Sequence, residues 1–132
     1  MHHRDYDLPP ILVGETDRHD LLVLAMSGTG HTADAADDLL YELDRASVIA
    51  DRHLPPYVVR MGSTVVASIN GGEAQILRLS YPREEGPGCV SILSPVGSAL
   101  LGLRSGQTIR WTSRDGERNS VTVHSVHNPR ST

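Results

Sequence analysis

The chain changes its hydrophobic period once, at Leu54-Pro55-Pro56, and that change limits what it can fold into. Before it, Ala36, Leu39, Leu40, Leu43 and Ala46 recur three and four residues apart, the spacing of one apolar helical stripe. After it the period is two. Thr64 to Ile69 and Gln75 to Tyr81 read as strands, and Asn70-Gly71-Gly72 between them accepts the positive φ of a tight hairpin. Val90 to Leu93, Thr108 to Thr112 and Ser120 to Val126 read as three more strands, the last two around the turn Arg114-Asp115-Gly116-Glu117. Ser98 to Leu103 reads as a single helical turn ending near Gly106. The class expected is α+β: a short N-terminal antiparallel helical hairpin, then a twisted antiparallel sheet with one short helix.

Pro9 and Pro10 push their predecessors out of the α region, so residues 1–10 read as an extended lead-in with order starting near Ile11. Thr16 is placed to cap the first helix, with Asp17 and Asp20 near the positive end of its dipole and Leu21 to Met26 as its apolar run. At about 1.5 Å per residue that helix is only about 15 Å long. Ser27 to His31 break the pattern, Thr32 caps the second helix, and so short a connection makes the two helices antiparallel. The expected segments are 1–10 (lead-in), 11–51 (hairpin) and 52–132 (sheet). At 132 residues there is room for one ordinary domain.

Charge divides along the same line. Residues 1–51 hold three arginines against eleven acids, a net of −8, and residues 52–132 hold nine arginines against five acids, a net of +4. This split suits electrostatic orientation on a partner with charged patches and disfavours the uniformly basic face needed to follow a phosphate backbone, so sequence-specific nucleic-acid binding is not expected. Two ordinarily solvated faces explain it equally simply. Cys89 is the one cysteine and has no internal disulfide partner, and no apolar h-region follows the charged start, so a reducing cytoplasm and no membrane are expected. Whether His2 and His3 are native or part of a tag stays open.

The chemistry-bearing residues do not assemble a catalytic motif. His2, His3, His19, His31, His53, His124 and His127 are scattered, and His124 and His127 on one strand would face opposite sides, so no metal is expected. Cys89 lacks a recognisable His partner and reads as a core thiol. Gly28 and Gly30 follow no strand and lack a third glycine, which rejects a phosphate cradle. Asp34, Asp37 and Asp38 sit near the hairpin tip, either as a solvated face complementing the helix dipole or as an electrostatic contact to a partner. No cofactor and no enzymatic activity are expected.

The stretch Ser94 to Trp111, SPVGSALLGLRSGQTIRW, closely resembles the C-terminal domain signature of Gre-type bacterial transcription elongation factors, and more closely that of the short Rnk-type branch, the regulators of nucleoside diphosphate kinase. YELDRASVI (Tyr41 to Ile49), LPPYVVRMGSTV (Leu54 to Val65) and LRLSYP (Leu77 to Pro82) follow that family's order and spacing, so the resemblance runs from Ile11 to about Asn128. It implies a helical hairpin joined to an FKBP-like sheet domain that docks on RNA polymerase at the entrance to the secondary channel. In Gre factors proper a long coiled coil carries acidic tip residues that help hold magnesium for transcript cleavage. Here the hairpin is short and the tip, Ser27 to His31, has no carboxylate. Gly62 stands where the family usually has Asn and Gln107 where it usually has Asp, exchanges that turns tolerate.

The expectation is a non-catalytic RNA polymerase-binding regulator that competes with Gre factors without stimulating cleavage. Direct regulation of a metabolic enzyme such as nucleoside diphosphate kinase is the alternative. An isomerase is disfavoured, because with no Phe and one Trp the chain cannot line an aromatic proline pocket. The docking residues expected are Met61, Ser63, Ser94, Pro95, Val96, Gly97, Leu100 and Leu101, with Asp34, Asp37 and Asp38 as the hairpin's electrostatic contribution. Small residues such as Gly97 would let another backbone approach closely. Leu100, Leu101 and Leu103 equally well close the sheet's own core.

Overall fold

The computed structural model describes residues 3–4, 8–28, 31–84 and 86–128. Helix α1 (Glu15–Met26) and helix α2 (Ala33–Arg45) form the hairpin. Strand β2 (Leu12–Gly14) enters it, strand β3 (Ser47–Ile49) leaves it, and the two pair in parallel, so a two-stranded clasp closes the hairpin at its base. The clasp takes up the end of the 11–51 segment beyond the helical stripe, where Val48 and Ile49 carry the β-branching that favours strand. Thr32 caps α2 as expected, its side chain accepting from the Ala35 N–H at 3.1 Å. Thr16 does not cap α1. The N-cap is Gly14 with no side-chain bond, and the cap acceptor comes from Asp51, which takes the Thr16 N–H at 3.1 Å and the Thr16 hydroxyl. At about 1.5 Å per residue the twelve- and thirteen-residue helices are about 18 and 20 Å long.

Strands β4 (Thr64–Ile69), β5 (Gln75–Ser80), β6 (Cys89–Ser91), β7 (Thr108–Thr112) and β8 (Arg118–His127) form the main sheet with β1 (His3–Arg4), in the order β1-β7-β8-β4-β5-β6. The lead-in is therefore not wholly outside the order, since β1 pairs with β7 across His3↔Thr112 and Arg4↔Trp111. His2 lies outside the described residues. Asn70 and Gly71 turn the β4–β5 hairpin with φ of 52° and 73°, which Asn tolerates and glycine, lacking a Cβ, adopts freely. The sheet is mixed rather than antiparallel throughout, because β5 and β6 run parallel, joined by the crossing at Tyr81 to Gly88. Cys89 opens β6 half-buried, not in the core.

Helix α3 spans Pro95–Leu100, three residues earlier than its apolar run predicts. Ser94 sets the start: its Oγ accepts the Gly97 N–H at 3.0 Å, and Pro95 occupies the first turn, where its missing N–H costs nothing. The hairpin and α3 share one core with the inner face of the sheet, where Leu21, Leu39 and Leu43 join Leu100, Leu79, Ile109, Trp111 and Val123. The hairpin thus packs on the sheet. In β8, the register against β4 shifts at Val66/Ala67, a bulge that changes the alternation. His127 faces Thr64 and the His124 ring lies 2.8 Å from the Ser68 hydroxyl, so both histidines sit on the outer face, contrary to the opposite-face expectation.

Candidate docking surface

The signature segment first serves the fold. Ser94 Oγ donates to the Ser91 carbonyl at 2.7 Å while accepting from Gly97, locking the end of β6 to the start of α3. A Cβ on Gly97 would lie 1.9 Å from the Ser91 carbonyl oxygen. The close backbone neighbour that Gly97 admits is thus the chain's own Ser91, not a partner. Gly102 N–H donates to Val59 O at 2.9 Å and its carbonyl accepts from Leu12 N–H at 3.3 Å, and a Cβ there would press on Ile11 and Leu12. Leu100, Leu101 and Leu103 are fully buried, so of their two readings the core one is what the structure displays.

The eight expected docking residues therefore separate. Gly97, Leu100, Leu101 and Ser63 are buried, and a rigid partner cannot reach them in this conformation. Pro95 is exposed, while Ser94, Val96 and Met61 are half-buried. Ser63 is a structural pin: its hydroxyl accepts the Arg60 N–H at 2.8 Å and donates to Asn128, whose amide in turn reaches the Pro56 and Val58 carbonyls. Gly62 has a φ of 86°, a conformation that Asn also adopts. Gln107 Oε1 accepts the Arg104 N–H at 2.8 Å, filling the acceptor role in its turn that a shorter Asp would fill.

Beside Met61 lies an acidic margin. The Met61 N–H donates to Asp17 Oδ2 at 3.0 Å, which ties α1 to the segment before β4. Burial raises the Asp17 carboxyl above its ordinary range, against the Met61 hydrogen bond that lowers it. Burial and then Asp17, Asp20 and Glu84 push the Tyr81 hydroxyl up to about 12, so it stays a neutral donor. Asp51 is held below its ordinary value, first by the Thr16 hydroxyl and then by the Thr16 N–H.

The acids of α2 are not one solvated face. Arg114, from the β7–β8 turn, places Nη2 3.1 Å from Asp38 Oδ1 and Nε 3.3 Å from Asp34 Oδ2. Asp38 is buried and Asp34 exposed, and of the three acids near the tip Asp37 is the one exposed without an ion pair among the described residues. Buried Glu42 accepts from Arg45 at 3.1 Å, and Arg45 donates to the Pro9 carbonyl at 2.7 Å, so the lead-in is also tied to α2. No local motif marks these pairings; Arg114 looks like an ordinary turn residue. Thr29 and Gly30 of the tip lie outside the described residues, and among the described residues no three metal-ligating side chains converge.

A clasped helical hairpin thus packs on a curled mixed sheet, with Ser94-Pro95 starting a buried short helix. Residues 54–128 match the family of the transcription elongation factor GreA/GreB C-terminal domain, and the chain belongs to that family. It is 34% identical over 118 residues to the regulator of nucleoside diphosphate kinase of Escherichia coli K12, covering 87% of each chain, and equally so to that of Shigella flexneri. Among solved structures it resembles a GreA/GreB prokaryotic transcription elongation factor from Nitrosomonas europaea, with a TM-score of 0.68 and 36% identity over 90% of this chain and 98% of that one.

Proposed function

We propose that this chain is a non-catalytic, cytoplasmic regulator of transcription that binds RNA polymerase near its secondary channel and occupies the site a Gre factor would use. The observation that carries the reading is the short hairpin. Helices of about 18 and 20 Å, folded back onto the sheet by Arg114, cannot reach as a long coiled coil does, and Ser27 to His31 offers no carboxylate for a metal. The docking surface proposed is Pro95, Val96 and Ser94 with Met61, backed by the buried Gly97, Leu100 and Leu101. No helix among the described residues is long and apolar enough to cross a membrane.

The name of the 34% identical relatives favours a second reading, direct contact with nucleoside diphosphate kinase. Immobilised protein offered purified core RNA polymerase and purified kinase separates the two. Retention of polymerase, reduced by Pro95→Glu, supports the first reading; retention of the kinase alone overturns it.

A further inference from the structure

We propose that the outer face of the sheet holds a phosphate-binding site built on Arg110 and Arg118. No Asp or Glu occurs in any of the six strands, so among the described residues the strands bring no countercharge to this face. In the β7–β8 ladder Arg110 stands opposite Ser120, and Thr112 opposite Arg118. Two guanidinium side chains therefore occupy one diagonal of a four-residue quad and two hydroxyls the other. Cβ atoms on such a diagonal are about 7–8 Å apart, close enough for both guanidinium forks to close on one tetrahedral anion. Trp111, between Arg110 and Thr112, and the flanking Ile109 and Val121 are buried on the inner face, as the alternation requires.

Arg45, Arg78 and Arg114 each have a carboxylate partner, whereas Arg110 and Arg118 make no ion pair among the described residues. The nearest turn acids do not compensate them. Asp115 Oδ1 is taken by the Ser113 hydroxyl and the Glu117 N–H, and Glu117 pairs with neither arginine. Like charges side by side on a sheet repel, so a bound anion relieves a cost that the fold carries by itself. The quad floors an open depression of about 600 Å³, within the range of small-molecule sites, with Asn70 and Asn119 at its rim. That rim is fixed: Asn70 Oδ1 accepts the Ser120 N–H at 2.8 Å, and Asn70 Nδ2 donates to Asn119 Oδ1 at 3.3 Å. A donor set of two guanidinium forks and two hydroxyls suits phosphoryl oxygens, and the lack of a carboxylate among the described lining residues disfavours a cation.

The same chemistry is offered by a free phosphate compound and by the phosphodiester of an RNA strand. The face lies opposite the one covered by α3, so the site stands or falls separately from polymerase docking. Inorganic pyrophosphate is titrated into the full chain at constant ionic strength, by calorimetry and by the arginine Nε–H resonances. Saturable binding is expected, weakened at least about tenfold in Arg110→Gln/Arg118→Gln and unchanged in Arg104→Gln, an exposed arginine elsewhere. Displacement of pyrophosphate by single-stranded RNA assigns the site to a strand; no displacement assigns it to a free phosphate compound. Absence of saturation, or an equal loss in Arg104→Gln, overturns the proposal.

Discussion

Gly97 shows how a residue that looks like a contact can be a packing constraint. With the Ser91 carbonyl 1.9 Å from where a Cβ would stand, Gly97→Val forces β6 and α3 apart. We expect a loss of about 3 kcal/mol or more in urea unfolding, similar to Leu100→Ala, which empties a fully buried site for about 2–5 kcal/mol. A Gly97→Val protein as stable as the parent would contradict this packing. Asp17 and Asp51 give opposite pH signatures. Asp51 is lowered by Thr16, so its stabilisation is present above 3.8 and lost as pH falls through its folded value. Asp17 is raised by burial, so its stabilisation is present below 3.8 and lost as pH rises through its folded value. In thermal melts Asp51→Asn should be less stable than the parent at neutral pH, with the gap closing below 3.8. Asp17→Asn, which keeps an acceptor for Met61, should be at least as stable at neutral pH and lose that advantage on acidification.

Elements governed by local pattern were legible, and elements governed by distant contacts were not. β4 and β7 lie where alternation puts them, and Asn70-Gly71 makes its turn, because those signals lie within a few residues. α3 starts early because the Ser94-Pro95 cap outweighs the apolar run that follows. The β2–β3 clasp, the Asp51 cap and the Arg114 link join residues 35 or more apart, and nothing local announces them. Four of the eight expected docking residues proved to be internal for the same reason: a family signature does not distinguish a residue kept for the core from one kept for a partner. The Arg114 link is the element-scale prediction. Arg114→Ala should accelerate hydrogen exchange along the first turns of α2, whereas Asp37→Asn should not. Arg114→Lys should fail to restore protection, because an ammonium cannot span Asp38 and Asp34 with a planar fork. Unchanged exchange in Arg114→Ala would show that hydrophobic packing alone seats the hairpin.

At the scale of the whole molecule, the charge division acquires a different meaning from simple steering. Part of the −8 half is spent internally, on Arg114 of the sheet half, and two of the sheet half's arginines, Arg110 and Arg118, stand together on the outer face, away from α3. On the proposed polymerase reading, what remains for contact is the exposed rim of the signature segment and a hairpin too short to deliver an acid to an active site. If that surface is shared with Gre factors, binding is mutually exclusive. The direct test is transcript cleavage in stalled elongation complexes, stimulated by a genuine Gre factor, as this protein is added. The account predicts that cleavage falls toward the factor-free rate with rising concentration, that the protein alone never raises it, and that Pro95→Glu weakens the suppression. Undiminished cleavage at saturating protein, or stimulation by the protein alone, would contradict it.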